Sequence, residues 1–199
     1  MLQQEWWLNN ISKNPEGFAD WLGDTKNISR IWIRDFIKKN KVKAMLDVAC
    51  GPCIDAKGLL SEETCIKYKG TDISEYLIKE NNKDGFDCEV GNIEDIKEED
   101  NSWELVYARH IIEHLEYYEK AVKEMCRVAK DYVVIIHFIP MSKDSDKIML
   151  TDLRGEKFHE NHYDHDKFVE FCSQFGTVQR IDLNDMQMRQ TITLIRIKG

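Results

Sequence analysis

The sequence predicts an α/β fold in which a parallel sheet of seven strands carries helices on both faces. Three observations support this prediction. Short apolar runs alternate with helical segments from residue 42 onward. A length of 199 residues suits one domain, with little room for a second. The hydrophobic fraction of 42%, with only three prolines and ten glycines, excludes a collagenous or low-complexity chain.

Residues 1–40 predict a helical cap. It begins with two apolar clusters and ends with a helix that Asn27 or Ser29 caps and that stops near Asn40. The two clusters are Trp6, Trp7 and Leu8, then Phe18, Trp21 and Leu22. A segment this rich in tryptophan either packs on the core or forms an aromatic lid over a substrate, and both interpretations stay open.

Strands and helices alternate through the rest of the chain. Strands are predicted at 43–48, 68–73, 86–90, 103–108, 132–139, 177–183 and 191–197. Helices are predicted at 55–60, 75–81, 111–128 and 166–175. Ligands of parallel sheets bind beyond the carboxyl ends of the strands. The loops that follow the strands are therefore where a site is expected.

Composition limits the classes of partner. A net charge of −8, from 36 acidic and 28 basic residues, argues against a nucleic-acid partner. No apolar run approaches the roughly 20 residues of a membrane helix. The N-terminus lacks the pattern of a signal peptide, so we expect a cytoplasmic protein with no membrane partner. The six cysteines are interpreted as reduced, and the CxxC of Cys50 and Cys53 would need a second pair for a zinc or redox role.

The loop after the first strand predicts an adenosyl ligand. It is poor in glycine and is followed by the acidic Asp55, so a dinucleotide pyrophosphate fits badly. Asp72 closes the second strand, where a carboxylate accepts hydrogen bonds from both hydroxyls of a ribose. An NAD-dependent oxidoreductase is thus the weaker alternative.

Four stretches, taken together, resemble the motifs of class I S-adenosylmethionine-dependent methyltransferases of the type 11 kind. They are LDVACGPCIDAKGL, GTDISEYLI, VGNIEDI and NSWELVYARHIIEHLEYYEKAVKEMCRVAK. They occur in the family's order and spacing between residues 42 and 139. The resemblance implies a Rossmann-like methyltransferase sheet and S-adenosyl-L-methionine as cofactor. It divides one domain, 1–199, into the cap (1–40), a cofactor-binding core (42–139), an acceptor-side insertion (140–165) and a closing helix and strands (166–199).

The resemblance also implies the cofactor contacts. They are Asp47, Ala49 and Gly51 at the methionine and ribose end, Asp72 on the ribose hydroxyls, Ile73 against the adenine, Asn92 and Ile93 at the adenine edge, and Arg109 near the methionine. Three positions depart from the family pattern. Ala49 and Cys53 replace glycines and narrow the loop, and Asn92 replaces an aspartate but can still accept a hydrogen bond. A binding fold without turnover therefore stays an alternative.

All six histidines lie between residues 110 and 165, on the side expected to face the methyl acceptor. His110, His114 and His159 are the candidate catalytic bases, because an alcohol acceptor must lose its proton. His137, at the end of the fifth strand, either belongs to the core or lines the acceptor pocket.

A divalent metal site is a further expectation. On a helix, His110, Glu113 and His114 share one face by their spacing. The small-RNA 2′-O-methyltransferases of plants have a similar ExxEH here, with a later histidine, and hold a divalent ion on a ribose diol. Here His110 replaces the first glutamate and His159 matches the later histidine. In the metal-free alternative, a histidine takes the proton directly.

The insertion predicts the class of acceptor. Residues 148–159 predict a hairpin with Gly155 in its turn, forming a polar wall beside the site. We therefore expect O-methylation of a sugar or glycan hydroxyl, metal-assisted at a vicinal diol or direct. Another small metabolite and an RNA end are the alternatives.

Overall fold

A computed structural model describes residues 24–139, 141–143, 145–153, 156–184 and 189–198. The two apolar clusters of the predicted cap and Gly155 lie outside these residues. The α-helices are α1 (Ile28–Asn40), α2 (Ile54–Ser61), α3 (Glu75–Lys83), α4 (Glu119–Val128) and α5 (His165–Ser173). The predicted cap helix is confirmed as α1, and Asn27 is its N-cap because its side chain accepts from the backbone N–H of Ser29.

Seven strands form the main sheet, as the sequence predicts. They are β1 (Ala44–Val48), β2 (Lys67–Asp72), β3 (Cys88–Val90), β4 (Trp103–Arg109), β5 (Ala129–His137), β8 (Gly176–Asn184) and β9 (Arg189–Ile197). Their order is β3-β2-β1-β4-β5-β9-β8. The first five run parallel, but β9 is antiparallel to both β5 and β8. The sheet is therefore mixed: the parallel part that the alternation of strands and helices predicts comprises β1 to β5, and β9 adds the antiparallel pairings.

Both faces of the sheet are covered, because side chains of a strand point alternately to opposite faces. Met45 packs with α1 and α2, whereas its neighbour Leu46 packs with α4 and α5. Both side chains are fully buried. The sequences of the central strands are therefore continuous apolar runs, as is typical of strands that are covered on both faces.

The strand order places the site. The chain builds outward from β1 to β3 and then crosses to β4 on the other side of β1. At this reversal the loops after β1 and β4 diverge and leave a crevice at their carboxyl ends. The loop at residues 49–53, Asp72 and residues 109–114 all lie at this edge.

The predicted helix over 111–128 is wrong in its first part. Residues Ile112–His114 form a single 3₁₀ turn, and α4 begins only at Glu119. His110 has φ 54°, which turns the chain out of the helical path directly after β4. His110, Glu113 and His114 therefore do not share the face of a helix, and this premise of the predicted metal site fails.

The predicted hairpin of the insertion is confirmed. It consists of the antiparallel strands β6 (Leu150–Leu153) and β7 (Glu156–His159). β7 lies against the 3₁₀ turn, where the ring of Phe158 is 6.1 Å from that of His114. Among the residues described, we find no helix long and apolar enough to cross a bilayer.

Candidate active site

The loop between β1 and α2 is built from left-handed backbone conformations. Ala49, Gly51 and Cys53 have φ 60°, 54° and 54°. Alternate left-handed residues wind the chain into a tight turn, which is why glycine favours such positions. A Cβ built on Gly51 would meet nothing within 4 Å, so this side of the turn faces open space. The loop can therefore lie close against a ligand.

Asp72 lies directly beside this loop. Its Oδ2 accepts from the backbone N–H of Gly51 at 3.0 Å, and its Oδ1 accepts from that of Ser74 at 2.9 Å. Burial raises the pKa of Asp72, while these two donors act in the opposite direction. A carboxylate has about four acceptor sites, so lone pairs remain for the two hydroxyls of a ribose.

Asp47 of β1 is held in place by a hydrogen bond from the neighbouring strand β2. It is buried, and its Oδ2 accepts from the hydroxyl of Tyr68 at 2.9 Å. Burial raises its pKa well above the ordinary value, and the nearby charge of Asp55 raises it further. One oxygen of Asp47 is thus already occupied by a hydrogen bond within the protein.

The turn after β3 holds the predicted adenine contacts. Asn92 Oδ1 accepts from the backbone N–H of Glu94 at 2.9 Å, so the side chain shapes its own turn. The side chain of Ile93 is buried in the core, which leaves its backbone for a ligand. Ile73, after β2, is half-buried and lies at the same edge of the sheet.

Arg109 ends β4 and reaches the start of α1. Its guanidinium donates to Ser29 Oγ at 3.2 Å and lies 3.4 Å from His110 Nδ1. Its Nε is buried and has no hydrogen-bond partner among the described residues. Burial lowers the pKa of Arg109, yet the group stays charged at neutral pH. An anion such as a carboxylate would satisfy this cation.

His110 follows Arg109 and contacts the start of β9, two strands away in the sheet. Its Nε2 lies 2.9 Å from Gln190 Nε2, while Gln190 Oε1 is buried without a partner among the described residues. If the amide is turned about its last bond, Gln190 Oε1 lies at the imidazole and accepts from His110 Nε2, which leaves Nδ1 as the basic atom. Burial and the charge of Arg109 hold the pKa of His110 well below its usual value.

Glu113 is buried and its side chain connects the 3₁₀ turn to the end of β5 by hydrogen bonds. Its Oε1 accepts from the backbone N–H groups of Phe138 and Ile139 at 2.7 and 3.4 Å. Burial raises its pKa to about 7. His137 lies within the sheet, 1% exposed, with Nε2 3.2 Å from Thr193 Oγ1. Burial lowers the pKa of His137 to about 3, so His137 is a neutral core residue rather than part of the acceptor pocket.

His114 joins the turn to the hairpin. Its Nδ1 donates to the backbone carbonyl of His159 at 2.8 Å, which fixes the neutral tautomer. Burial lowers the pKa of His114. The contact to His159 is made through its backbone, not its imidazole. The structure therefore brings the three candidate bases to one edge of the sheet in different roles.

The four predicted metal ligands are not among the sets of close ligand atoms in the described part of the chain. Within the described ranges, the one set of three His, Cys, Asp or Glu ligand atoms close enough to hold an ion is that of Cys50, Cys53 and Cys88. The predicted site at His110, Glu113, His114 and His159 stays a prediction. Sequence reasoning missed Cys88, Tyr68 and Gln190, because their partners lie far away along the chain.

Comparison with known proteins agrees with this geometry. Residues 46–136 match the family described as "Methyltransferase domain". This part of the chain is a class I methyltransferase domain. The matched residues run from β1 to β5. They include the loop at residues 49–53, called the cofactor loop below, together with Asp72 and the 3₁₀ turn. This domain is thus that of an enzyme, and S-adenosylmethionine is the cofactor that its sequence motifs imply. No curated protein sequence matches the chain.

Solved structures of methyltransferases share the fold. Magnesium protoporphyrin IX methyltransferase from Synechocystis, with bound S-adenosylhomocysteine, has a TM-score of 0.72 at 9% identity, over 98% of this chain and 98% of its own. A S-adenosylmethionine-dependent methyltransferase from Methanosarcina mazei has a TM-score of 0.62 at 14% identity, over 81% and 96%. A Haloferax volcanii methyltransferase in complex with the activator Trm112 has a TM-score of 0.65 at 12% identity, over 92% and 96%. At these identities the likeness concerns the fold.

Proposed function

We propose that this methyltransferase transfers a methyl group from S-adenosylmethionine to a hydroxyl oxygen of a small polar acceptor, a sugar in the first place. The observation that carries the proposal is His110, a neutral imidazole held between Arg109 and Gln190 at the carboxyl end of β4. An oxygen nucleophile needs a proton acceptor at this point, whereas a thiolate or a neutral amine does not.

The residues of the crevice fit the cofactor. Asp72 has lone pairs for the ribose hydroxyls, and the open side of Gly51 allows close approach. The guanidinium of Arg109 suits the carboxylate of the methionine part. When bound, the cofactor supplies a methyl group on a positively charged sulfur. The acceptor oxygen attacks this methyl group, and the sulfur leaves as the thioether of S-adenosylhomocysteine. The part of this chain is to hold both reactants in line and to exclude water.

His110 accepts the proton of the acceptor hydroxyl as the new C–O bond forms. The basic atom is Nδ1 when Nε2 donates to the turned amide of Gln190, and the acceptor hydroxyl then takes the place of the Arg109 guanidinium, which lies 3.4 Å from Nδ1. Gln190 is then a positioning residue that fixes the tautomer. Glu113 and His114 act through structure, since both bond to backbone groups of neighbouring elements.

Polar groups around His110 favour a polar acceptor. Arg109 and Gln190 contact the imidazole, and Ser29 accepts from the guanidinium of Arg109. A second candidate acceptor is a small metabolite with an apolar body. Ile148, Met149 and Leu150, at the start of the hairpin, are 45%, 43% and 47% exposed, and such a run would cover an apolar surface.

A screen of acceptors tests the proposal. Purified protein with labelled S-adenosylmethionine is offered sugars, phenols, amines and thiols, and labelled products are identified. We expect products from hydroxyl acceptors, a loss of roughly 10²-fold or more in kcat for His110→Ala, and full activity in the matched variant His165→Gln. Products from amines or thiols alone, or an unimpaired His110→Ala, would contradict it.

The pH profile separates base catalysis from a structural loss. Because burial and Arg109 lower the pKa of His110, the imidazole is unprotonated throughout the neutral range. The acid limb of kcat/KM should therefore lie below the ordinary histidine pKa of about 6.5. Binding of S-adenosylhomocysteine without turnover on any acceptor would overturn the proposal. An absolute requirement for Mn²⁺ or Mg²⁺ would replace direct proton transfer by the metal-assisted version.

A further inference from the structure

Three cysteines meet under the cofactor loop. Cys50 and Cys53 belong to the loop, and Cys88 begins β3. Their sulfur atoms all lie within 4.8 Å of one another, and Cys53 Sγ is 3.4 Å from Cys88 Sγ. All three residues are buried, at 8%, 0% and 4% exposure. The triangle of sulfurs is therefore part of the fold and not a chance contact on the surface.

Gly70 makes room for this triangle. A Cβ built on Gly70 would lie 2.9 Å from Cys50 Sγ, 2.9 Å from Cys88 Sγ and 3.1 Å from the Tyr68 hydroxyl. Contacts this short do not occur in proteins, so any side chain here would push the sulfurs apart. The glycine of β2 thus leaves a cradle between two of the sulfurs.

We propose that Cys50, Cys53 and Cys88 form a binding site for one thiophilic metal ion, of the class of zinc or monovalent copper. An ion with metal–sulfur bonds of about 2.3 Å holds its sulfurs about 3.8 to 4 Å apart in tetrahedral or trigonal geometry. The separations in the structure bracket this value. A donor set of sulfur alone selects soft ions and not Mg²⁺ or Mn²⁺.

The surroundings of the sulfurs support a cation. The hydroxyl of Tyr68 lies 3.4 Å from Cys53 Sγ and donates to Asp47 Oδ2 at 2.9 Å, so a buried carboxylate stands behind the site. An ion that binds there would displace the thiol protons, because only the thiolate form of cysteine is a metal ligand.

A bound ion would fasten the cofactor loop to β3. Asn81 donates to the carbonyl of Gly51 at 2.8 Å, and Gly51 donates to Asp72. The ion would thus hold the backbone that is proposed to face the ribose, and ion and cofactor should strengthen each other's binding. This coupling rests on the proposed function, but the ion site itself does not.

Titration of the full-length, reduced and metal-free protein with Co²⁺ and Zn²⁺ tests the site. We expect one ion per chain and thiolate-to-cobalt charge-transfer absorption that Zn²⁺ abolishes. Cys88→Ser should weaken binding roughly 100-fold, since it removes one of three ligands. The matched variant Cys172→Ser changes a buried free cysteine of α5, away from the three sulfurs, and should bind the ion as the wild type does.

Gly70→Ala keeps all six cysteines and should also weaken binding, because it fills the cradle. It decides the matter if Cys88→Ser does not fold. Absence of a one-to-one complex, or equal affinity in wild type, Cys88→Ser and Gly70→Ala, would overturn the proposal. A Cys53–Cys88 disulfide that persists without any metal uptake would overturn it as well. Loss of S-adenosylhomocysteine binding with intact Co²⁺ binding would instead count against the proposed function alone.

Discussion

Single residues of the site adopt conformations that their side chains resist. Ala49, Cys53 and His110 have positive φ values, at the two loops that border the crevice. For residues other than glycine, the left-handed conformation costs about 1 to 2 kcal/mol each. Such strain persists where surrounding structure enforces it, as at a functional loop. Ala49 and Cys53, which stand where the family pattern has glycine, therefore keep the turn but lower the stability of the protein.

Ala49→Gly should stabilise the protein by about 1 kcal/mol, because it relieves the left-handed strain. Ala56→Gly is the matched control. Ala56 lies within α2, where glycine should destabilise by about 1 kcal/mol. Urea unfolding of both variants checks this prediction. A destabilised Ala49→Gly would show that the Ala49 methyl group contributes packing that outweighs its strain.

Glu113 should make stability depend on pH. Its folded pKa of about 7 lies above the unfolded value of 4.5, so the folded state holds its proton more tightly. This contribution is fully present below the unfolded pKa and is lost as pH rises through about 7. The shift corresponds to about 3 kcal/mol. Between pH 5 and pH 8 the wild type should therefore lose stability relative to Glu113→Gln.

Glu113→Gln is the suitable variant, since its amide oxygen can still accept from Phe138. The free energy of unfolding is measured in urea at pH 5 and pH 8 for both proteins. His137, whose Nδ1 lies 3.7 Å from Glu113 Oε1, contributes to the pH dependence with the opposite sign at lower pH. An equal pH dependence in both would show that Glu113 does not bind its proton in the neutral range.

At the scale of elements, hydrophobic periodicity predicts regular strands and helices. It does not predict a segment whose structure depends on tertiary contacts. The strand pattern predicted at 103–108 matches β4, and the helix predicted at 75–81 matches α3. The helix predicted at 111–128 fails before Glu119, because local pattern competes there with tertiary hydrogen bonds. Glu113 bonds to the end of β5, and His114 bonds to the hairpin. No sequence window of one helix contains these partners.

The docking of α1 on α2 depends on a buried ion pair. Arg30 and Asp55 join the two helices, and both are buried. Arg30→Ala leaves a buried carboxylate without its partner and should destabilise the protein by about 3 to 5 kcal/mol. Lys38→Ala, in the half-exposed pair with Glu62, should cost at most about 1 kcal/mol. Similar losses in the two variants during urea unfolding would refute this view of the helix pair.

At the scale of the molecule, the topology assembles what the sequence separates. Motifs predict Asp72 and Gly51 as cofactor contacts, since Asp72 ends its strand and Gly51 follows its strand within a few residues. The pairing of His110 with Gln190 spans 80 residues and arises only because β9 inserts beside β5. The cluster of Cys50, Cys53 and Cys88 likewise needs β3 to pack beside β2. Spacing alone suggested only the CxxC.

The most direct test of this account is calorimetric titration of S-adenosylhomocysteine into the whole protein. We expect one ligand per chain. Asp72→Asn should bind roughly 10- to 100-fold more weakly, because it removes a charged acceptor. Asp87→Asn, in an exposed residue before β3, should bind as the wild type does. Absence of binding to the wild type, or unchanged affinity in Asp72→Asn, would contradict a cofactor site at this edge of the sheet.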